Sequence, residues 1–418
     1  MKGCFRTSVG ELRIDRDRLV EWASRAIGTP SFTGEELAMA ELVRETFLDL
    51  GLRVQWQQVE DGRANVLGVR EGAGGGPSLM FNGHMDTSYS GREPWLRHVP
   101  GFQPSAFVED DRLYGLGISN MKGALACYVE ALRALADAGV RLKGDLLVAA
   151  VCGEIEKTQF GDAQGAEYRG YAAGSRYLVS HGGVADMCIL GEPTESKVVL
   201  GHFGSLWARI STQGPFVHTA FSEGRRDENS IVRMREVLDA VLEWIPVWEG
   251  DPANAYRGTK AIVNVGAISG GFGWRVSRTP HRTDLFLDVR VPPTKEMTAA
   301  RAQVIDLVRS LRERFPEHGI EGEVYVTAPG AEIDESHPLV GALDAAHGEV
   351  FGSAPERDVT RWFSDASVLT RYGIATVNYG TSTGLLDTVK GENLEIDGLA
   401  RTAEVYARAA IKVCGVAG

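Results

Sequence analysis

A chain of 418 residues with 44% hydrophobic and 24% charged residues has a soluble globular composition, and it is too long for one ordinary core, so two domains are expected. The formal net charge of -12 excludes nucleic acid and anionic membrane surfaces as main partners, since both call for clustered Lys and Arg. The first residues carry no apolar leader, no stretch offers the roughly 18 uninterrupted apolar residues of a membrane span, and Cys4, Cys127, Cys152, Cys188 and Cys414 are scattered without Cys-x-x-Cys spacing, so a cytoplasmic protein with reduced thiols is expected.

In chain order, helical spacing begins near Arg18, breaks over 28–34, and resumes as a helix over 36–50, with Thr33-Gly-Glu-Glu read as its start. Strands are expected over 53–57, 65–69 and 78–81. The last runs into Asn82-Gly83-His84-Met85-Asp86. Side chains two apart in an extended segment share a face, which suits a metal-ligating imidazole and the carboxylate that orients it. A glycine-rich turn, Leu113 to Gly123, opens a helix over 124–138; its spacing is not G-x-G-x-x-G, so no phosphate site is read there. The apolar run over 145–151, a buried parallel strand by its pattern, ends in Gly153-Glu154-Ile155-Glu156, and the run over 187–190 ends in Gly191-Glu192-Pro193-Thr194. Ligands of open α/β sheets bind outside the carboxyl ends of the strands. Three such endings therefore define one candidate site.

Near residue 198 the texture changes. Strand 205–212, helix 229–244, strands 259–268 and 284–291, helix 298–315 and strand 320–326 follow the βαββαβ order of a small antiparallel α+β unit. The expected fold is thus an α/β catalytic domain, 1–197 and 329–418, with a mostly parallel mixed sheet and helices on both faces, interrupted by an α+β lid domain, 198–328. After 329 come a strand over 375–379, the turn Gly380-Thr-Ser-Thr-Gly384 and a closing helix over 399–413.

The set His84-Met-Asp86, Asn120-Met-Lys-Gly, Gly153-Glu154, Gly191-Glu192-Pro-Thr, Gly214-Pro-Phe-Val-His218, Ser364-Asp365-Ala and Glu392 resembles the metallopeptidases typified by aminoacylase, acetylornithine deacetylase, succinyl-diaminopimelate desuccinylase and glutamate carboxypeptidase. That resemblance implies hydrolysis of amide and related C–N bonds. It also implies that His84 and Glu192 hold a metal, that Asp86 orients His84, and that Glu154 is the general base. Asn120 stands where the family has a bridging aspartate, Ile155 where it has a second metal-binding Glu, and Thr388 where it has a His. An amide offers one neutral carbonyl oxygen, and Ile155 offers none, so all three departures weaken the second metal site. One divalent ion per subunit, Mn or Zn with Co as an alternative, is therefore expected. Its third ligand is Asn120, Glu156, Thr388 or His202.

A single ion with an open position can still activate water, with Glu154 moving its proton to the leaving nitrogen. His218 is expected to reach the site of a neighbouring subunit and stabilise the developing oxyanion, so the lid implies a homodimer or larger homo-oligomer. Arg290 is expected to grip a substrate carboxylate, and Arg275, His202, Thr388 and Gly380 to contact substrate. Trp274 and Arg275, with Trp95, Phe203 and Trp362, suggest a pocket for a flat ring, as in the family line that hydrolyses 5-nitroanthranilate. Two other functions fit the motifs: an ordinary N-acyl amino acid deacylase or peptidase, and an inactive homologue that binds a small molecule or oligomerises.

Overall fold

In the computed structural model, which describes residues 12–381 and 390–418, four parallel strands form the middle of a mixed sheet. In sheet order they are Leu146–Val151, Leu79–His84, Met187–Leu190 and Ala375–Asn378. An antiparallel hairpin, Arg53–Glu60 with Arg63–Arg70, extends the sheet beyond Leu146–Val151. The central strands are buried and mostly apolar because helices cover both faces. On Leu79–His84, Phe81 stacks 5.0 Å from Tyr128 and lies 5.4 Å from Tyr406, in the helices Gly123–Asp137 and Ile396–Cys414. Its neighbour Asn82 faces the other way and donates to Ser175 in the helix Ala173–Ser180.

This unit comprises the described chain up to Leu200, Glu332–Asp358 and the described chain from Ser364 onward. The second unit, Gly201–Ala331 with Val359–Phe363, is an antiparallel sheet in the order Val263–Gly270, Arg282–Val291, Gly204–Gln213, Glu321–Ala328. The helices Ser230–Gly250 and Met297–Arg314 pack on one of its faces. Along Arg282–Val291 the odd-numbered residues are buried and the even-numbered ones half-exposed, as a one-sided sheet requires.

Several boundaries differ from expectation. The strand expected over 78–81 runs on to His84, so the histidine is its last residue and not part of the following loop. The helix expected from Glu36 starts at Leu37, and no side chain caps it, because Thr33 and Glu36 are hydrogen-bonded elsewhere. The strand expected over 259–268 divides into Thr259–Lys260, in a hairpin with Ala255–Tyr256, and Val263–Gly270. The helix Ala173–Ser180 was missed because it is short and opens without a capping side chain. Among the described residues no helix is long and apolar enough to cross a membrane, and Cys127, Cys152, Cys188 and Cys414 are free and buried.

Candidate metal centre

The carboxyl ends of three parallel strands bring His84, Glu154 and Glu192 together, all buried, with their donor atoms within 4.8 Å of one another. His84 Nδ1 lies 2.9 Å from the Asp86 carbonyl oxygen and 3.4 Å from Asp86 Oδ1. Its Nε2 lies 2.9 Å from Asn120 Oδ1 and 3.9 Å from both Glu154 Oε2 and Glu192 Oε1. Asn120 is held on its turn by Glu392, whose Oε2 accepts from the Ser119 N–H at 3.2 Å and hydroxyl at 2.8 Å. Lys122, two residues on, donates to the carbonyls of Ala26 and Thr29, both at 2.8 Å.

The electrostatics are those of a site with too many anions. Burial, then the charge of Glu192, raises the Glu154 carboxyl well above its ordinary range; burial pushes Glu192 up to about 7 and Asp365 up to about 6. Burial alone would lower His84, but the hydrogen bond to Asp86 and the charges of Glu192 and Glu154 outweigh it, and its pKa is raised well above the usual value. Asp86 is held down to about 2 despite burial, chiefly by His84 and by the Glu154 N–H. Four buried carboxylates thus face one imidazole, and Glu192 Oε1 is buried with no hydrogen-bond partner. Such a group is neutralised either by protons, as the raised pKa values express, or by a compensating cation. The imidazole and oxygen donors fit Zn or Mn.

Asp86 does more than orient His84. Its Oδ1 accepts the Glu154 N–H at 3.0 Å, and its Oδ2 accepts the Ile155 N–H at 3.2 Å and the Thr33 hydroxyl at 3.0 Å. One carboxylate therefore fixes two of the three converging segments. A second support lies behind it: Arg63 forms a bidentate pair with Glu36 at 2.7 and 2.8 Å, both side chains fully buried, and Glu36 Oε1 accepts the Gly153 N–H at 3.1 Å. Gly153 has φ +65°, and a Cβ there would sit 2.3 Å from Arg63 Nη2, so the turn that presents Glu154 requires glycine. Sequence reasoning missed Glu36, Arg63, Thr33 and the buried Asp365. The signal available was Arg63 itself, a cation that opens a strand with the apolar run Val66-Leu67-Gly68-Val69 and therefore has to find a buried partner.

Gly380, expected to contact substrate, packs instead behind Glu192. Its N–H donates to Thr194 Oγ1 at 3.0 Å, and a Cβ would lie 2.4 Å from the Glu192 carbonyl oxygen and 2.5 Å from that of Gly191. Gly380→Ala is expected to destabilise the protein by roughly 1–3 kcal/mol, the usual cost of overpacking, and to weaken metal binding by displacing Glu192. A melting curve and a metal titration check both effects.

Ile155 is buried and apolar, and Thr388 lies outside the described residues. Glu156 is not among the grouped donors. His202, in the second unit, is fully buried, with Nδ1 2.9 Å from the Phe203 carbonyl oxygen and its ring stacked on Trp362 and edge-on to Phe363. His218 is half-exposed, and its Nδ1 accepts the Ala220 N–H at 3.2 Å. Arg290 binds Asp288 Oδ2 through Nη2 at 2.7 Å, so its guanidinium already has a carboxylate. Arg275 is exposed, as are Trp274 (79%) and Trp95 (71%). Phe203 is fully buried in the core of the second unit, which removes it from the flat-ring pocket proposed from sequence.

The family model described as Peptidase family M20/M25/M40 matches residues 80–412. Acetylornithine deacetylase of Shigella sonnei is 29% identical over 336 residues, covering 77% of this chain and 80% of that protein. The Yersinia pestis acetylornithine deacetylase is 27% identical over 345 residues, covering 79% and 82%. Among solved structures, a tripeptidase from Staphylococcus aureus superposes with a TM-score of 0.74 at 18% identity, covering 96% of this chain and 99% of that one.

Proposed function

Because the chain belongs to peptidase family M20/M25/M40, whose hydrolases depend on divalent metal ions, we infer that it cleaves an amide-type C–N bond in a small carboxylate-bearing substrate using one ion per subunit. The observation that carries this reading is the buried set His84, Glu154 and Glu192, with donors within 4.8 Å and an unpartnered Glu192 oxygen. His84, Glu192 and Asn120 would hold the ion, Mn or Zn. When bound, it polarises the attacked group.

The remaining chemistry belongs to the chain. Asp86, on the Nδ1 side of His84, fixes the tautomer that leaves Nε2 free to ligate. Glu154, whose proton affinity is raised by burial, takes a proton from the attacking water and passes it to the leaving nitrogen. Asn120 has one neutral carbonyl oxygen to give and Ile155 has none, which favours a single ion. His218 would stabilise the oxyanion in a neighbouring subunit. Arg290, expected to take a substrate carboxylate, would do so in competition with Asp288.

The deacetylase relatives favour an N-acyl amino acid as substrate over an aryl amine of the 5-nitroanthranilate kind. Dialysis against a chelator, followed by addition of Zn or Mn, tests the reading with panels of N-acyl amino acids and aminobenzoates. Hydrolysis of the first panel is expected to fall to background on chelation and to return with metal. Hydrolysis that survives chelation, or a metal-loaded protein inert towards both panels, would count against it, the latter in favour of a non-catalytic binding protein.

A further inference from the structure

On the face of the second unit's sheet away from its two helices lies a concave pocket of about 440 Å³. Its walls are Trp207, Phe286 and Tyr325, with Asn264, Gly266 and Asp288 at its border. Trp207 meets Tyr325 at 6.1 Å and 60°, and Phe286 meets it at 6.3 Å and 89°, so the three rings enclose a space and do not stack shut. Asp288 sits directly across the strands from both Asn264 and Trp207.

Two features mark this as a built pocket. The sheet has two register breaks, one between Val265 and Ala267 and one between Val324 and Val326, so the extra residues are Gly266 and Tyr325. Both line the pocket. Bulges bend a strand and re-aim a side chain, and they recur next to binding sites. The charged groups around the rings are paired, with one acid in excess because Arg282 also pairs with Glu321. Asp288 accepts from Ser205 at 3.0 Å and pairs with Arg290, while Arg282 pairs with Asp284 and Arg209 with Glu323. An aromatic floor lined by Asp288 and by no basic side chain disfavours an anion and suits a planar group without negative charge, with the Asn264 amide at its edge to meet a polar substituent.

We propose that this pocket binds a planar aromatic ligand without negative charge, separate from the substrate of the metal centre. The inference goes beyond the metal-centre reading and does not depend on how that centre acts.

Binding of benzamide to the full chain, followed by NMR or calorimetry without turnover, tests it. Benzamide is expected to bind saturably, about tenfold more tightly than the non-planar cyclohexanecarboxamide. Ala267→Trp, which fills the pocket, and Phe286→Val, which removes a wall, are each expected to weaken benzamide by about tenfold or more, with melting curves checking that both variants fold. Equal benzamide affinity in native and folded variant proteins, or no saturable binding to the native chain, would overturn the proposal. Because benzamide binding is read without turnover, failure here is separable from failure of the metal-centre reading.

Discussion

Glu154→Gln is expected to lower kcat by roughly a hundredfold to ten-thousandfold, the usual contribution of a positioned general base, while the bound metal stays in place. Glutamine keeps the shape of the side chain and one carbonyl oxygen but cannot accept a proton at neutral pH. The same substitution removes one of the buried carboxylates that raise each other's pKa, with Glu192 foremost among the charges acting on Glu154. The metal-free variant is therefore expected to melt at a higher temperature than the metal-free native protein. Steady-state kinetics, metal analysis and paired melting curves read the three effects. Loss of metal with loss of activity would instead make Glu154 a ligand, a role its 3.9 Å distance from His84 Nε2 leaves geometrically open.

The largest stability effect is expected at Arg63. Arg63→Met leaves the Glu36 carboxylate fully buried without its cation, which costs about 3–5 kcal/mol, read as a shift of the urea midpoint. Replacing both partners with apolar residues, Arg63→Met with Glu36→Leu, is expected to recover much of that loss, because no uncompensated charge remains. Activity should not recover in parallel: the Gly153 N–H loses its acceptor when Glu36 goes, and the turn presenting Glu154 loosens. A double variant as unstable as the single one would show that packing of the guanidinium, and not its charge, is what matters.

The parts of this molecule legible in its sequence were those with strong local patterns. The apolar runs ending in Gly153-Glu154 and Gly191-Glu192 identified buried parallel strands and the side on which their carboxylates emerge, and the fold brings those ends together with His84. What stayed hidden depended on partners distant in sequence. Arg63 and Glu36 are 27 residues apart, and neither has meaning as a support for Glu154 until the sheet brings them under Gly153. Gly380 lies in a turn that reads as an exposed loop, and only its 2.4 Å approach to the Glu192 carbonyl explains the glycine. The aromatic residues followed the same logic. Tryptophans conspicuous in the sequence, Trp95 and Trp274, are exposed, whereas Trp207, Phe286 and Tyr325 converge only because three strands and a bulge align them.

The central claim is that Asn120 and Ile155 leave this chain one metal site. Metal analysis of the protein reconstituted with excess Zn or Mn, then freed of loosely bound ion, tests it most directly. One equivalent per subunit, lost on His84→Ala, is the predicted result; two equivalents would contradict the account.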